Sequence, residues 1–145
     1  MHDHDARWPD FSEAGRLRRL AFADRWTTVF RAIDAAGLTA DEAIDRDLIL
    51  LELAAARFAD AELREEVWNR LEWIYVLGGG LFPLLARDFA RLADRLAATA
   101  SRLEGIGAVV AAARDVLGSA PERPVARFHT ENAIRQVAGV AELAD

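Results

Sequence analysis

The longest hydrophobic pattern in the chain runs from Leu85 to Leu117 at alternating spacings of four and three residues. Such spacing keeps one narrow apolar stripe on one face of a helix. Charged residues, Arg95 and Arg102 among them, fall off the stripe, where a helix keeps its solvent-facing side. A helix of this length cannot cover its own stripe, so we expect the other segments to pack on it. The stripe comprises Leu85, Phe89, Leu92, Leu96, Thr99, Leu103, Ile106, Val110, Ala113 and Leu117.

This long central helix is predicted to span residues 83–117. Pro83 suits its first turn, where the missing N–H of proline is not needed. Further along, a capping-box spacing is followed by Gly105 and Gly107, and both features weaken a continuous helix. The sequence therefore leaves open an unbroken helix, a kink or a break near residues 104–107.

Capping signals and shorter stripes predict two helices near the start of the chain. Ser12 can cap a first helix that runs to about Ala36, with Gly37 as its stop. Thr39 and Glu42 have the spacing of a capping box, which predicts the start of a second helix. The two stripes comprise Phe22, Trp26, Val29 and Ile33, followed by Ile44, Leu48, Leu51, Ala55 and Phe58.

The remaining segments complete an all-α prediction. Asp60 is expected to cap a third helix that ends at the glycines of positions 78–80. A phosphate-binding loop at these glycines is disfavoured, because no Lys or Ser/Thr follows them and no strand precedes them. After a linker at 118–124, a last helix is predicted from about Thr130. We therefore expect a bundle of about five to six helices, forming a single helical domain over residues 1–145.

Composition supports helices and narrows the possible partners. The chain has 30 Ala, 18 Arg and no Lys or Cys, which favours helix and excludes disulfides and thiolate chemistry. The net charge of −6, with arginines interleaved among acids, argues against a nucleic-acid partner. No signal peptide or membrane-spanning run is evident, so we expect a soluble, cytoplasmic protein without a membrane partner. The sequence leaves the oligomeric state open.

Motifs for catalysis and metal binding are missing from the sequence. It contains neither a His-Glu-x-x-His pair nor a Gly-x-Ser-x-Gly turn, so no catalytic residue and no metal ligand is assigned. His2 and His4 alternate with Asp3 and Asp5 in a pattern open to a metal ion. A solvated terminus is the simpler interpretation, because nothing fixes the geometry of these side chains.

One polar cluster near the last helix is the best candidate contact site. A helix N-terminus attracts anions, and His129 can change its charge near neutral pH. The simpler interpretation is that His129 and Thr130 cap the helix while Glu131 favours its positive end. The candidate residues are Arg127, His129, Glu131, Asn132 and Gln136, with Thr130 and Arg135 beside them.

Several runs of the sequence resemble the N-terminal helical region of the bacterial family called domain of unknown function 885. The clearest is GGGLFPLLARDFARLADRL at positions 78–96. The others are RLEGI at 102–106, AAR at 112–114, RPV at 123–125 with HTENAIRQ at 129–136, and HDARWPDFS at 4–12. The resemblance covers most of the chain and rests on packing and linker residues.

That family in turn resembles zinc metallopeptidases with a His-Glu helix. The resemblance implies zinc, a glutamate base and a metal-activated water, all in the later half of the family's sequence. No position in this chain matches that motif, so the chain would be a non-catalytic helical portion that needs no cofactor. Its partner would be the catalytic half, on the same or a companion polypeptide.

Two other functions remain open from the sequence. The first is an independent helical protein-interaction module that binds a partner helix along an exposed stripe. The second is a helical bundle with a small-ligand pocket lined by Trp26, Trp68, Trp73 and Tyr75. Aromatic residues at helical spacing belong more often to a core than to a ligand site.

Overall fold

The chain is all-α, as the sequence predicts. A computed structural model describes residues 4–142 and contains six α-helices and no strand over that range. The helices are α1 (Glu13–Arg31), α2 (Ala40–Phe58), α3 (Glu65–Trp68), α4 (Arg70–Ala86), α5 (Leu92–Val116) and α6 (Arg127–Ala141). A 3₁₀ turn at Ala35–Gly37 and a π-helical turn at Ala59–Leu63 lie between them.

The helices group into two compact units. Residues 10–64 form the hairpin unit, in which α1 packs against α2. The four-helix unit takes the described residues 4–9 together with 65–142 and contains α3 to α6. Within it, α4 packs against both α5 and α6. The single domain expected over residues 1–145 stays a prediction.

Both predicted helix starts in the hairpin unit are confirmed. The Ser12 side chain accepts a hydrogen bond from the Gly15 N–H at 3.1 Å and caps α1. At the start of α2, the Thr39 hydroxyl accepts from the Glu42 N–H at 3.3 Å, and the Glu42 carboxylate accepts from the Thr39 N–H at 2.8 Å. These reciprocal bonds satisfy two main-chain N–H groups that the helix leaves unpaired.

Asp60 does not cap a third helix, contrary to the prediction. The chain continues from α2 into the π-helical turn, which ends at Arg64 in the left-handed conformation (φ 48°). The Asp60 carboxylate instead pairs with the Arg19 guanidinium at 2.7 Å. This ion pair connects the π-helical turn to α1 inside the hairpin unit.

The glycines at 78–80 do not end a helix, and Pro83 does not begin one. After an Asn69 cap, α4 runs through both features to Ala86. An interior proline removes one helical hydrogen bond and costs about 3 kcal/mol. Packing of α4 against α5 and α6 offsets that cost, and a sequence pattern contains no information about such packing.

The helix predicted over 83–117 is therefore two helices, and the break lies at 87–91. In contrast, α5 passes through 104–107 without interruption. The local helix-breaking signals near Gly105 are outweighed by the packing of α5 against α4.

Arg95 explains where the break falls. Its guanidinium donates to the main-chain carbonyls of Leu84 and Leu85 at 3.3 Å and of Arg87 at 2.6 Å. The last carbonyls of a helix have no partner inside it, so these bonds terminate α4. Arg95 is only 8% exposed, and its predicted place on the solvent-facing side is wrong.

The buried core lies in the four-helix unit, and the face of α5 that it uses differs from the predicted stripe. Of the stripe residues, Phe89, Leu92 and Leu96 are exposed, whereas Thr99 is buried. The buried apolar residues of this unit are Val67, Leu71, Trp73, Leu81, Leu84, Ala98, Val109, Ala120 and Ala133.

The hairpin unit leaves most of its apolar side chains exposed. Its buried residues are Gly15 and Ala23 alone within the part of the chain that the structure describes. The predicted stripes of α1 and α2 therefore do not form a covered core. The exposed large apolar side chains of the unit are Leu17, Phe22, Val29, Ile33, Ile44, Leu48, Ile49, Leu51, Phe58 and Leu63.

Candidate contact sites

Most of the predicted polar cluster serves helix α6 itself. Arg127 and Glu131 form an ion pair at 2.6 Å, with the Arg127 side chain 91% exposed, so the pair contributes little to stability. The Asn132 side chain donates to the Phe128 carbonyl at 2.8 Å, and Arg135 donates to the Glu131 carbonyl at 3.2 Å. These side chains are engaged with their own helix and do not converge on one point.

His129 and Thr130 do not cap α6, because the helix begins at Arg127 after an Ala126 cap without a side-chain bond. The His129 ring lies 5.5 Å from the Trp68 ring, and its Nδ1 is buried without a hydrogen-bond partner in the described part of the chain. The Thr130 hydroxyl accepts from Arg70 at 2.9 Å. Both residues therefore connect α6 to α3 and α4.

Gln136 lies elsewhere, in an apolar groove between α4 and α6 of about 470 Å³. We call this cavity the α4–α6 groove. Its lining residues are Ile74, Tyr75, Gly78, Gly79, Phe82, Pro83, Gln136, Gly139 and Val140. The structure thus divides the predicted cluster among a surface ion pair, a packed histidine and a groove.

Three glycines lie along the α4–α6 groove. A Cβ atom added at Gly79 or Gly139 would meet no atom of another described residue within 4 Å, and one added at Gly78 would make an ordinary contact with Val140 at 3.8 Å. These glycines widen the groove, and packing among the described residues does not require them at Gly79 and Gly139.

A second glycine-lined site holds Trp8, and the sequence analysis missed it. The indole lies in a slot between α4 and α5, where a Cβ at Gly80 would overlap the ring and one at Gly105 would lie 2.8 Å from it. The indole N–H donates to the Arg102 carbonyl at 2.7 Å. We call this site the Trp8 slot. Gly80 and Gly105 are the sequence features that could have indicated space for a large side chain, but their sequence context favoured helix breaks.

Arg102 closes the Trp8 slot. Its guanidinium carbon lies 5.3 Å from the Trp8 ring centre, and the side chain donates to the carbonyls of Gly80 at 2.5 Å and His4 at 3.3 Å. Burial lowers the pKa of Arg102 below its usual value, and its Nε has no hydrogen-bond partner among residues 4–142. The Ser101 hydroxyl adds a bond to the Ala6 carbonyl at 2.9 Å. These contacts hold residues 4–8 against α4 and α5.

Acidic residues meet at the start of α4 without forming a metal site. Burial raises the pKa of the Glu72 carboxyl, and the neighbouring Glu65 and Glu66 raise it further. Over residues 4–142, no three His, Asp or Glu side chains are arranged to hold a metal ion, so this part of the chain does not fit the zinc that the family resemblance implies. His2 and Asp3 of the N-terminal His/Asp pattern lie outside the described residues.

One described helix, α5, is long and apolar enough to cross a membrane by length and composition. A single helix of this kind is weak evidence for a membrane span. Its Arg95 and Arg102 side chains bind main-chain carbonyls of the same unit. A cytoplasmic location stays a prediction.

These features define an all-helical module with exposed apolar faces. The model of the family described as "Bacterial protein of unknown function (DUF885)" matches residues 1–145, and the chain belongs to that family. Among solved structures, it resembles that of a candidate lipoprotein of unknown function from Shewanella oneidensis, with a TM-score of 0.82 and 29% identity. The match covers 96% of this chain and 24% of that one, so this chain spans about a quarter of its relative. No curated protein matches the chain.

Proposed function

We propose that this chain is a non-catalytic helical portion of a larger fold and that its exposed apolar faces pack against the remainder of that fold. The hairpin unit carries this proposal. Ten large apolar side chains are exposed there, Phe22 at 59% and Leu51 at 63% among them. Soluble monomers rarely leave contiguous apolar patches larger than a few hundred Å² in water. A surface of this kind is typical of a packing interface.

The length of the Shewanella relative supports a remainder large enough to cover these faces. That protein resembles this chain over 24% of its own length. The peptidase part of the proposal assigns zinc and a glutamate base to the remainder, because residues 4–142 do not fit a metal. The residues of this chain then have a structural role, as one wall next to the site.

The absence of catalysis in this chain is tested with the purified protein, zinc and a panel of dipeptides. We expect no turnover at any zinc concentration. Hydrolysis that depends on zinc and co-purifies with the chain would contradict the non-catalytic role.

The packing role is tested with a chimera in which residues 1–145 replace the matching quarter of the Shewanella protein. We expect one cooperative thermal transition and less binding of a hydrophobic dye than the isolated chain shows. Peptides from the hairpin unit should exchange their amide hydrogens at least tenfold more slowly than in the isolated chain, since burial suppresses local opening. A hairpin with the same exchange in both proteins would contradict the proposal.

An independent interaction module is the second candidate, and the same exposed faces favour it. It predicts a monomer that keeps its dye-binding surface in the chimera. A monomeric chain that binds little dye would contradict both candidates.

A further inference from the structure

We propose that the α4–α6 groove seats one apolar helix from the remainder of the family fold. This inference rests on the proposed function, which states that a remainder packs on the chain. It adds to that function the surface that is covered, the kind of segment that covers it and the glycines that make room for that segment.

The glycines of the groove provide the first argument. A glycine inside a helix costs about 1 kcal/mol relative to alanine. None of the three has a positive φ, since Gly118 is the glycine with that conformation in residues 4–142. Two of them would place a Cβ in open space, whereas Gly80 leaves room for Trp8. The cost at Gly79 and Gly139 therefore has no compensation within residues 4–142, and close approach of an outside backbone would supply one.

The walls of the groove provide the second argument. Tyr75 and Phe82 are 58% and 56% exposed, and Ile74, Pro83 and Val140 complete an apolar lining. Gln136 and the Tyr75 hydroxyl are the polar groups among the side chains of that lining. Two adjacent helices form a groove into which the side chains of a third helix can pack. Apolar residues three and four positions apart on that third helix would fill the groove. The lining therefore fits an apolar helix and offers little to a charged ligand.

The relative provides the third argument, which selects the occupant. This chain matches 24% of that protein, and the proposed function places the remainder of the fold against this portion. The groove belongs to the four-helix unit and lies on its own helices α4 and α6, outside the buried core of that unit. We therefore assign it to a helix of the remainder rather than to a second copy of the chain.

The test compares Gly79→Leu and Gly139→Leu with Gly107→Leu as the matched control. A Cβ at Gly107 also meets open space, but this residue lies on α5 and away from the groove. In the isolated chain, all three variants should keep the helical circular dichroism and melt within a few degrees of the parent. This result would show that none of them prevents folding.

The decisive measurement is hydrogen exchange of the same variants in the chimera. We expect the peptides covering 74–83 and 134–140 to exchange at least tenfold more slowly in the parent chimera than in the isolated chain. Gly79→Leu and Gly139→Leu should abolish that protection, and Gly107→Leu should keep it.

The outcomes separate this inference from the proposed function. Protection of the hairpin unit without protection of 74–83 would overturn the groove assignment alone. Absence of protection in both regions would overturn the proposed function and this inference together. A dimer of the isolated chain that Gly79→Leu dissociates would identify a second copy as the occupant and overturn the assignment.

Discussion

Trp8 fills a slot that two glycines keep open, so this site should be sensitive both to loss of the indole and to gain of a methyl group. Trp8→Ala removes the ring and its bond to the Arg102 carbonyl, and large-to-small changes of this kind cost about 3 kcal/mol. Gly80→Ala places a Cβ inside the ring volume and should destabilise the four-helix unit by about 1–3 kcal/mol. Urea unfolding followed by circular dichroism measures both effects.

Gly107→Ala is the control for the Trp8 slot. It adds the same methyl group on α5 in open space, where alanine is the better helix former, so stability should rise by about 0.5–1 kcal/mol. Equal effects of Gly80→Ala and Gly107→Ala would show that the indole does not occupy the slot.

Arg95 should be the most sensitive charged residue of the four-helix unit. Arg95→Met keeps much of the aliphatic chain but leaves the carbonyls of Leu84, Leu85 and Arg87 without this donor. Unsatisfied buried groups cost about 1–3 kcal/mol, and the midpoint of urea unfolding should fall accordingly. Arg91→Met is the control, because that side chain is exposed and forms a surface ion pair with Asp94; a loss as large as that of Arg95→Met would refute the capping role.

Glu72 should make stability depend on pH. Burial and the charge of Glu65 raise its pKa in the folded chain above the ordinary value of 4.5. The folded state therefore holds this proton more tightly than the unfolded state, and ionisation of Glu72 lowers stability as pH rises above that value. Glu72→Gln should raise the urea midpoint at pH 8, and the gain should vanish below pH 4.5.

The control for this pH dependence is Glu104→Gln, at an exposed position of α5. It should change the urea midpoint little at either pH. A gain from Glu72→Gln that persists unchanged at low pH would contradict the electrostatic cause.

The capping box of α2 is the element whose contribution is simplest to measure. Thr39→Ala removes the hydroxyl that accepts from the Glu42 N–H, and loss of such a cap costs about 1 kcal/mol. Thr28→Ala is the matched control, because that hydroxyl donates to the Asp24 carbonyl within α1 and caps nothing. Circular dichroism melts should rank Thr39→Ala clearly below Thr28→Ala; the reverse order would contradict the cap.

Helix starts could be predicted from the sequence because their bonds are local. Ser12 and Thr39 bind N–H groups three residues away, so the residue spacing contains the information. The end of α4 could not be predicted in this way. Its carbonyls are satisfied by Arg95, about ten residues further along, and the helix continues through 78–80 because of packing against other helices.

The candidate site was only partly predictable for the same reason. Placing the start of α6 at Thr130 instead of Arg127 changes which side chains lie in its first turn. Even a correctly placed helix start would not indicate that His129 packs on Trp68 or that Gln136 lies in a groove with α4. Those neighbours are distant in sequence, and periodicity within one helix contains no information about them.

At the scale of the whole chain, the exposed stripe of α2 distinguishes a packing interface from an ordinary surface. Leu48→Glu with Leu51→Glu changes two side chains that are more than half exposed. In the isolated chain the double variant should unfold within about 0.5 kcal/mol of the parent and bind less hydrophobic dye. In the chimera the same charges would enter an interface, so protection of the hairpin unit from hydrogen exchange should be lost.

The paired control is Ala54→Glu with Ala56→Glu, which adds the same charge at two exposed positions of α2 between the large apolar side chains. Because alanine contributes little apolar area, this variant should reduce dye binding less than the leucine variant does. It should also keep more of the hairpin's protection in the chimera. Equal loss of protection in both variants would mean that added charge alone weakens the hairpin unit. Protection that survives Leu48→Glu with Leu51→Glu would place the interface on another face of the hairpin.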